Sequence, residues 1–329
     1  MKNSKNKIFY TEIAKYSKNY VKSLKVKKKS HNTISSYSGT LKAFSNFIEQ
    51  YEDVISFGNL KENHIIDFLI YKEENVPVHY FEFKESSKNL FITHLKRFFT
   101  YIAKNSNKSY DFSRVFDDLK IRIPERIAKG LESFEVENVL ICLNSSIEKA
   151  NNHVQSNSRT ANKDFKKSRQ FVAYRNSLII KIYLYSGIRA SELIGLNIND
   201  FVLEDDLYTI YVIGKGNKEA KVFLRPSRIE KEIEFFKNNG YEIITKTINN
   251  KVFDRVQIWK MIKKVFSVAK VKTGSIHTLR HTFAKTVYAV TKDIGTVKEM
   301  LRHKSINTTT IYAKESEQTT KNNYKKAIS

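Results

Sequence analysis

The segments Ser186-Gly187-Ile188-Arg189-Ala190-Ser191-Glu192-Leu193, Gly214-Lys215-Gly216-Asn217-Lys218, His277-Thr278-Leu279-Arg280-His281, and Leu301-Arg302-His303 with Ile311-Tyr312 hold residue types suited to one reaction. Breaking a phosphodiester without a metal builds charge on the non-bridging oxygens, and fixed guanidinium groups stabilise that charge through paired hydrogen bonds. A nucleophile must attack phosphorus, and an acid must protonate the departing oxygen. Arg189 and Arg280 can supply the clamp, Tyr312 the nucleophile and Lys215 the acid. His277 and His303 titrate near neutrality, so they can donate to phosphate or accept the tyrosine proton.

Other chemistries fit less well. His277 and His281 stand at i and i+4, a spacing that can share zinc on a helix. The metalloprotease pattern needs Glu after the first His, however, where Thr278 stands, and Cys142 is the sole thiol. The phosphate-cradling word Gly-x-x-x-x-Gly-Lys-Ser/Thr does not occur, and no Asp/Glu cluster suggests a two-metal nuclease. Lone arginines mostly solvate surfaces and Tyr312 is one of 18 tyrosines, so the segments count together, not singly. The expected reaction uses neither metal nor cofactor.

These residues need elements to hold them. Apolar residues recur at helical steps through Ile34, Tyr37, Leu41, Phe44 and Ile48, predicting a helix over 33–51, and through Leu90, Phe91, Leu95, Phe98, Phe99 and Ile102, predicting another. Shorter helices are expected at 9–24 and 60–72. Lys25, Lys27, Lys28 and Lys29 lie between the first two helices and suit either a DNA backbone or a solvated charge run. Pro124 and Gly130 bracket a boundary at about 120–132, which predicts domains over 1–120 and 121–329. Ser133 is the expected N-cap of the next helix, with Glu135 and Glu137 in its first turn. Residues 151–168 carry little apolar periodicity and are expected to form a loop or insertion. An apolar helix, Leu178–Tyr185, runs to Gly187. Period-2 patterning over Leu207–Ile213 and Ala220–Leu224, joined by the glycine-bearing Lys215 turn, predicts a hairpin. Helices return near 256–270, 277–290 and 294–302. The fold class is thus mainly α with a small β-hairpin, an α+β arrangement.

Charge narrows the partner. Lys+Arg total 58 against 34 Asp+Glu, a formal net charge of +24. Such an excess repels itself and is best tolerated where a polyanion is the partner, which favours nucleic acid. A basic protein without such a partner is the plainer alternative. No segment concentrates basic residues opposite an apolar face, no apolar run is long enough to span a bilayer, and Met1–Tyr10 has no secretory core, so a cytoplasmic location is expected. Cys142 lies in an apolar run and reads as a small buried hydrophobe.

Taken in order, Arg189, Lys215, His277-x-x-Arg280, His303 and Tyr312 resemble the signature of the tyrosine recombinase (phage integrase) family, and the local words are similar to its Xer branch. The resemblance implies a two-domain DNA clamp, with a helical core-binding domain before a catalytic domain. It implies strand transfer through a 3′-phosphotyrosine at Tyr312, assisted by Arg189, Lys215, His277, Arg280 and His303, with Glu192 supporting the site. A capping or exposed role for Glu192 stays open. Lys218 and Lys221 compete with Lys215, which is preferred because it follows Gly214 at the first strand's end, where the family lysine sits. The implied partners are a double-stranded recombination site and a homotetramer on two sites that exchanges the tail after Tyr312, with an activating protein as a further candidate. Xer-type resolution of chromosome or plasmid dimers, in partition and cell division, is the expected role. A mobile-element integrase, a type IB topoisomerase and an inactive DNA-binding protein are the alternatives. Arg302 departs from the family, which usually has Gly before the second His; the turn there is expected to differ in shape or to contact phosphate.

Overall fold

The computed structural model describes residues 4–51, 54, 56–76, 83–122, 129–155, 163–214, 218–272, 274–313, 321, 324, 325 and 328. The chain divides into two compact units, Met1–Glu125 and Arg126–Ser329, each with its own core.

The first unit is helical: α1 (Ser4–Val26), α2 (His31–Ile48), α3 (Glu62–Glu74), α4 (Glu85–Asn105) and the short α5 (Ser113–Phe116). The stripe expected on α2 faces inward, burying Tyr37, Leu41, Phe44 and Ile48 against Phe68 of α3 and Leu95, Phe98 and Phe99 of α4. Phe44 meets Phe68 and Phe99 edge-on, with ring centroids 5.3 and 5.8 Å apart, the geometry that ring quadrupoles favour. The start of α2 is fixed by Ser30, whose hydroxyl accepts from the Thr33 amide at 3.3 Å. Lys25, Lys27, Lys28 and Lys29 are all exposed across the turn before it.

The second unit packs α6 (Ser133–Gln155), α7 (Lys163–Ser186), α8 (Ala190–Leu193), α9 (Glu230–Asn238), α10 (Arg255–Val268), α11 (Ile276–Thr291) and α12 (Ile294–Leu301) around a small sheet. Its strands β1 (Phe201–Glu204), β2 (Leu207–Gly214) and β3 (Lys218–Leu224) pair antiparallel in chain order, with Ile210 opposite Val222. The centre is α7. Its Leu178, Ile179, Ile180, Ile182 and Tyr183 are fully buried in successive directions, because α6, α9, α11 and β3 all pack on it. Truncating one such side chain to Ala costs about 2–5 kcal/mol, so α7 is a rigid base for whatever its C-terminus carries.

Several expectations are corrected. The described parts of 151–168 are helical, extending α6 and α7. Residues 156–162 lie outside the described residues; Asn151 links the two helices, since it donates to the Tyr174 hydroxyl at 3.1 Å and accepts from Gln170 at 2.9 Å. A helical hairpin held by side-chain amides shows little apolar period. Ser133 is the first helical residue, and the cap lies at Glu132, whose amide donates to Glu135 at 3.0 Å. Cys142 is half-buried at the core edge. Strand β1 and helix α9 had no sequence expectation. The Lys215 turn and most of the tail after Tyr312 lie outside the described residues.

One buried polar group ties α2 to α4. His94 shares a 2.8 Å hydrogen bond with the Thr40 hydroxyl and stacks on Tyr37 at 3.9 Å, while Arg97 donates to the Tyr37 hydroxyl at 3.0 Å. Burial, and after it the Arg97 charge, lowers the His94 pKa from 6.5 to about 4. Between those values the unfolded chain binds this proton and the folded chain does not. This contribution therefore leaves stability untouched above pH 6.5 and destabilises the fold as pH falls towards 4, by roughly 3 kcal/mol at most. In denaturant unfolding at pH 7 and pH 4.5, His94→Asn should lose less stability on acidification than the native protein. Equal losses would exclude His94 as an acid-labile point.

Candidate active site

Helix α7 ends at Ser186, and Gly187 turns the chain with φ of +58°. A side chain there would stand 2.4 Å from the Phe283 ring, so both conformation and space require glycine. The turn delivers Arg189 immediately before α8. Glu192, one turn on, folds back: its carboxylate accepts from the Arg189 amide at 2.8 Å and from Arg189 Nη1 at 2.7 Å. It is thus a cap and an ion-pair partner at once. It is buried, and although burial opposes ionisation, Arg302 and the Arg189 bonds hold its pKa below the usual carboxylate value.

Arg280 comes from α11, where the helical period sets His277, Arg280 and His281 close together around one side. Arg280 is buried and donates through Nη1 to the Gly187 carbonyl and through Nη2 to the Leu301 carbonyl. Arg189 Nη2 donates to the same Leu301 carbonyl at 3.1 Å and to the Arg302 carbonyl. Both guanidiniums therefore cap the C-terminus of α12, where helical carbonyls have no intrahelical partner and the helix dipole is negative. Burial, then the charges of Arg189 and Arg302, lowers the Arg280 pKa to about 10, which leaves it a cation at neutral pH.

After α12 the chain reverses at Arg302, in the left-handed region at φ 56° and ψ 43°. The Arg302 amide donates to Glu299 at 2.8 Å and the His303 amide to Lys298 at 3.0 Å, the paired bonds of a Schellman turn. The turn's shape is thus the one a glycine gives, and the Arg302 side chain goes to Glu192 at 2.7 Å. His303 Nδ1 lies 2.9 Å from the buried Thr309 hydroxyl, and the Thr309 carbonyl accepts from the Tyr312 amide at 3.0 Å. Thr309 thus joins His303 to the short helical turn Thr310–Tyr312. Burial, then Arg280, Arg189, Arg302 and His281, pushes the His303 pKa down to about 4.

Tyr312 is buried against Ala284, Val297 and Leu301, and its hydroxyl lies 2.8 Å from His281 Nδ1. Burial raises the Tyr312 pKa, with Arg280 opposing, while burial, His277 and Arg280 lower that of His281. A protonated tyrosine donating to a neutral imidazole is the consistent assignment. The imidazole on Tyr312 is therefore His281, not His277 or His303; His277 is exposed on the first turn of α11. The structure brings Arg189, Glu192, Arg280, His303 and Tyr312 around the α12–Tyr312 segment, while Lys215 lies outside the described residues. His281 and Thr309 had no assigned role from sequence. The only sequence sign for His281 was its helical spacing from His277. No group of three or more His, Cys, Asp or Glu able to hold a metal occurs among the described residues, and none of their helices is long and apolar enough to cross a membrane.

The buried Arg280 and the half-buried Arg189 thus converge on one helix terminus, in the same unit as the Tyr312–His281 pair. Residues 155–319 match the phage integrase family and residues 18–105 match the phage integrase N-terminal SAM-like domain. The chain belongs to the phage integrase family. It is 25% identical over 292 residues to tyrosine recombinase XerD of Halalkalibacterium halodurans, covering 86% of this chain and 87% of that one. It is 36% identical over 160 residues to tyrosine recombinase XerH of Campylobacter jejuni; that match spans 46% of this chain and 43% of the relative, less than half of each. The fold resembles XerH site-specific recombinase bound to a palindromic difH substrate, at TM-score 0.70 and 23% identity over 89% of this chain and 79% of that one. It also resembles a lambda integrase tetramer bound to a Holliday junction, at TM-score 0.63 and 13% identity over 92% and 79%.

Gly187→Ala should destabilise the protein by about 1–3 kcal/mol or more, since it adds left-handed strain to a clash with Phe283. Thermal unfolding checks this, and an unchanged midpoint would show that the α7–α8 turn can relax.

Proposed function

We propose that this protein is a site-specific recombinase that cuts and rejoins duplex DNA through Tyr312, with the half-buried Arg189 and the buried Arg280 receiving the scissile phosphate. The observation that carries this reading is the hydrogen bond from the Tyr312 hydroxyl to His281, formed beside two guanidiniums already anchored to one helix terminus. Donors held in place before substrate arrives need no reorganisation as charge develops on phosphate.

In the free protein Tyr312 keeps its proton, because burial disfavours the phenolate, and burial, then His277 and the Arg280 charge, keep His281 a weak base. A bound phosphate offsets the Arg280 part of that shift and raises the basicity of His281. The Tyr312 proton then passes to His281 Nδ1 as its oxygen attacks phosphorus. The phosphorus bond to the 5′ oxygen breaks, and Lys215 gives that oxygen a proton. The products are a 3′-phosphotyrosine and a free 5′-hydroxyl. His277 and His303 donate to the non-bridging oxygens. The new bond keeps the phosphodiester's energy, so attack by another 5′-hydroxyl reverses the step without ATP.

The Xer-named relatives and the DNA-bound XerH and lambda integrase structures support a DNA site as substrate and a tetramer on two sites as the working assembly. Resolution of chromosome or plasmid dimers, in partition before cell division, is the biological task we propose, on the similarity of the Arg189, Lys215 and His277–His281 segments to the Xer branch. A cytoplasmic location and an exchanged tail after Tyr312 belong to the same reading.

The test selects duplexes that the protein binds from a randomised pool, nicks them, and looks for an SDS-resistant, protease-sensitive adduct. The native protein should form it, whereas Tyr312→Phe should bind equally and form none. An adduct with the Phe variant would remove Tyr312 from the reaction. Arg189→Ala should slow adduct formation by about 10²–10³-fold, the loss expected for one fixed donor to developing charge.

A further inference from the structure

Arg302 is held at several costs to the fold. Its backbone is left-handed, a conformation that glycine adopts freely and a side chain resists. Its guanidinium is largely buried, and its Nε has no hydrogen-bond partner among the described residues. It is placed close to two further guanidiniums, whose charges repel it. A helix cap alone accounts for none of this, because glycine would close the Schellman turn with less strain.

What the side chain does gain is Glu192. Nη2 meets the Glu192 carboxylate at 2.7 Å, on the oxygen that also accepts from the Arg189 amide, and Nη1 donates to the Met300 carbonyl at 2.8 Å. The Glu192 side chain is fully buried and its other oxygen binds Arg189 at 2.7 Å. With Arg189 as its only partner, this carboxylate would cancel that residue's charge where phosphate must be held. With Arg302 as second partner, two guanidiniums bind the carboxylate and a third, Arg280, lies within its field on the Leu301 carbonyl, so the four groups carry a net charge of +2. That matches the two negative charges on phosphorus at the pentacoordinate stage, whereas the ground-state diester carries one. Excess positive charge of this kind favours the transition state over the bound substrate.

We infer that Arg302 is a positioning residue that neutralises Glu192, so that Glu192 can orient Arg189 without drawing its charge away from the phosphate. This rests on the assignment of Tyr312 as nucleophile. The inference concerns the side chain alone, because the Arg302 contact to Arg189 is made by its backbone carbonyl and survives any substitution.

The test measures single-turnover adduct formation on the selected nicked duplex at saturating protein, together with thermal unfolding. Arg302→Gly should keep or raise the melting temperature, bind DNA normally, and form adduct about 10–100-fold more slowly, the usual range for loss of a partner that orients a site residue. Arg302→Asn, which tolerates the left-handed turn without the charge, should show the same loss, and Arg302→Lys should recover most of the rate. In a Glu192→Gln background Arg302→Gly should change the rate little, since no carboxylate is left to neutralise. Native rates with both the Gly and Asn variants would overturn the inference, as would an undiminished loss in the Gln background. If the native protein itself formed no adduct, the nucleophile assignment would fail first and this inference with it.

Discussion

The C-terminus of α12 organises the catalytic unit. Its Leu301 carbonyl, left without an intrahelical partner, receives hydrogen bonds from both Arg189, in the turn before α8, and Arg280, on α11, residues far apart in sequence. A buried guanidinium is costly unless its donors are satisfied, and a buried helix terminus is costly unless its acceptors are. Each solves the other's problem here. The result is a pair of cations converging on one place, at an end of a helix whose dipole favours them.

The surrounding elements follow from that pairing. Gly187 must be glycine so that α7 can turn tightly enough to present Arg189 while its own carbonyl receives Arg280. Glu192 sets the rotamer of Arg189 from within the same turn. The left-handed turn at Arg302 sends the chain back through Thr309, so that His303 and Tyr312 are positioned by one residue. Tyr312 then packs on the faces of α11 and α12 that the arginines leave apolar, next to Ala284, Val297 and Leu301.

The helical unit Met1–Glu125 holds together by other means. Its interior is dominated by aromatic rings meeting at their edges, with one neutral histidine pinned between α2 and α4. Lys25, at the end of α1, and Lys27, Lys28 and Lys29 on the turn after it are exposed and not within the core, where that charge could not be buried.

Much of this was legible in the residues themselves. The apolar stripe of α2 and the unbroken apolar run of α7 announced buried helices, since helical periodicity directly records which face avoids water. The four segments carrying Arg189, Lys215, His277 with Arg280, and His303 with Tyr312 announced the chemistry, because few residue types can stabilise and attack a phosphodiester. Polar residues carry less signal: 156–162 lies outside the described residues, but the rest of 151–168, expected as a loop or insertion, is helical, and Asn151 pairs with Gln170 across two helices, a preference that hydrophobic pattern does not encode. The role of His281, the link through Thr309 and the sharing of Glu192 between Arg189 and Arg302 were decided by tertiary structure alone. Each depends on where a hydrogen-bonding atom sits relative to a distant backbone, and sequence spacing fixes such positions only within a turn or two of one helix.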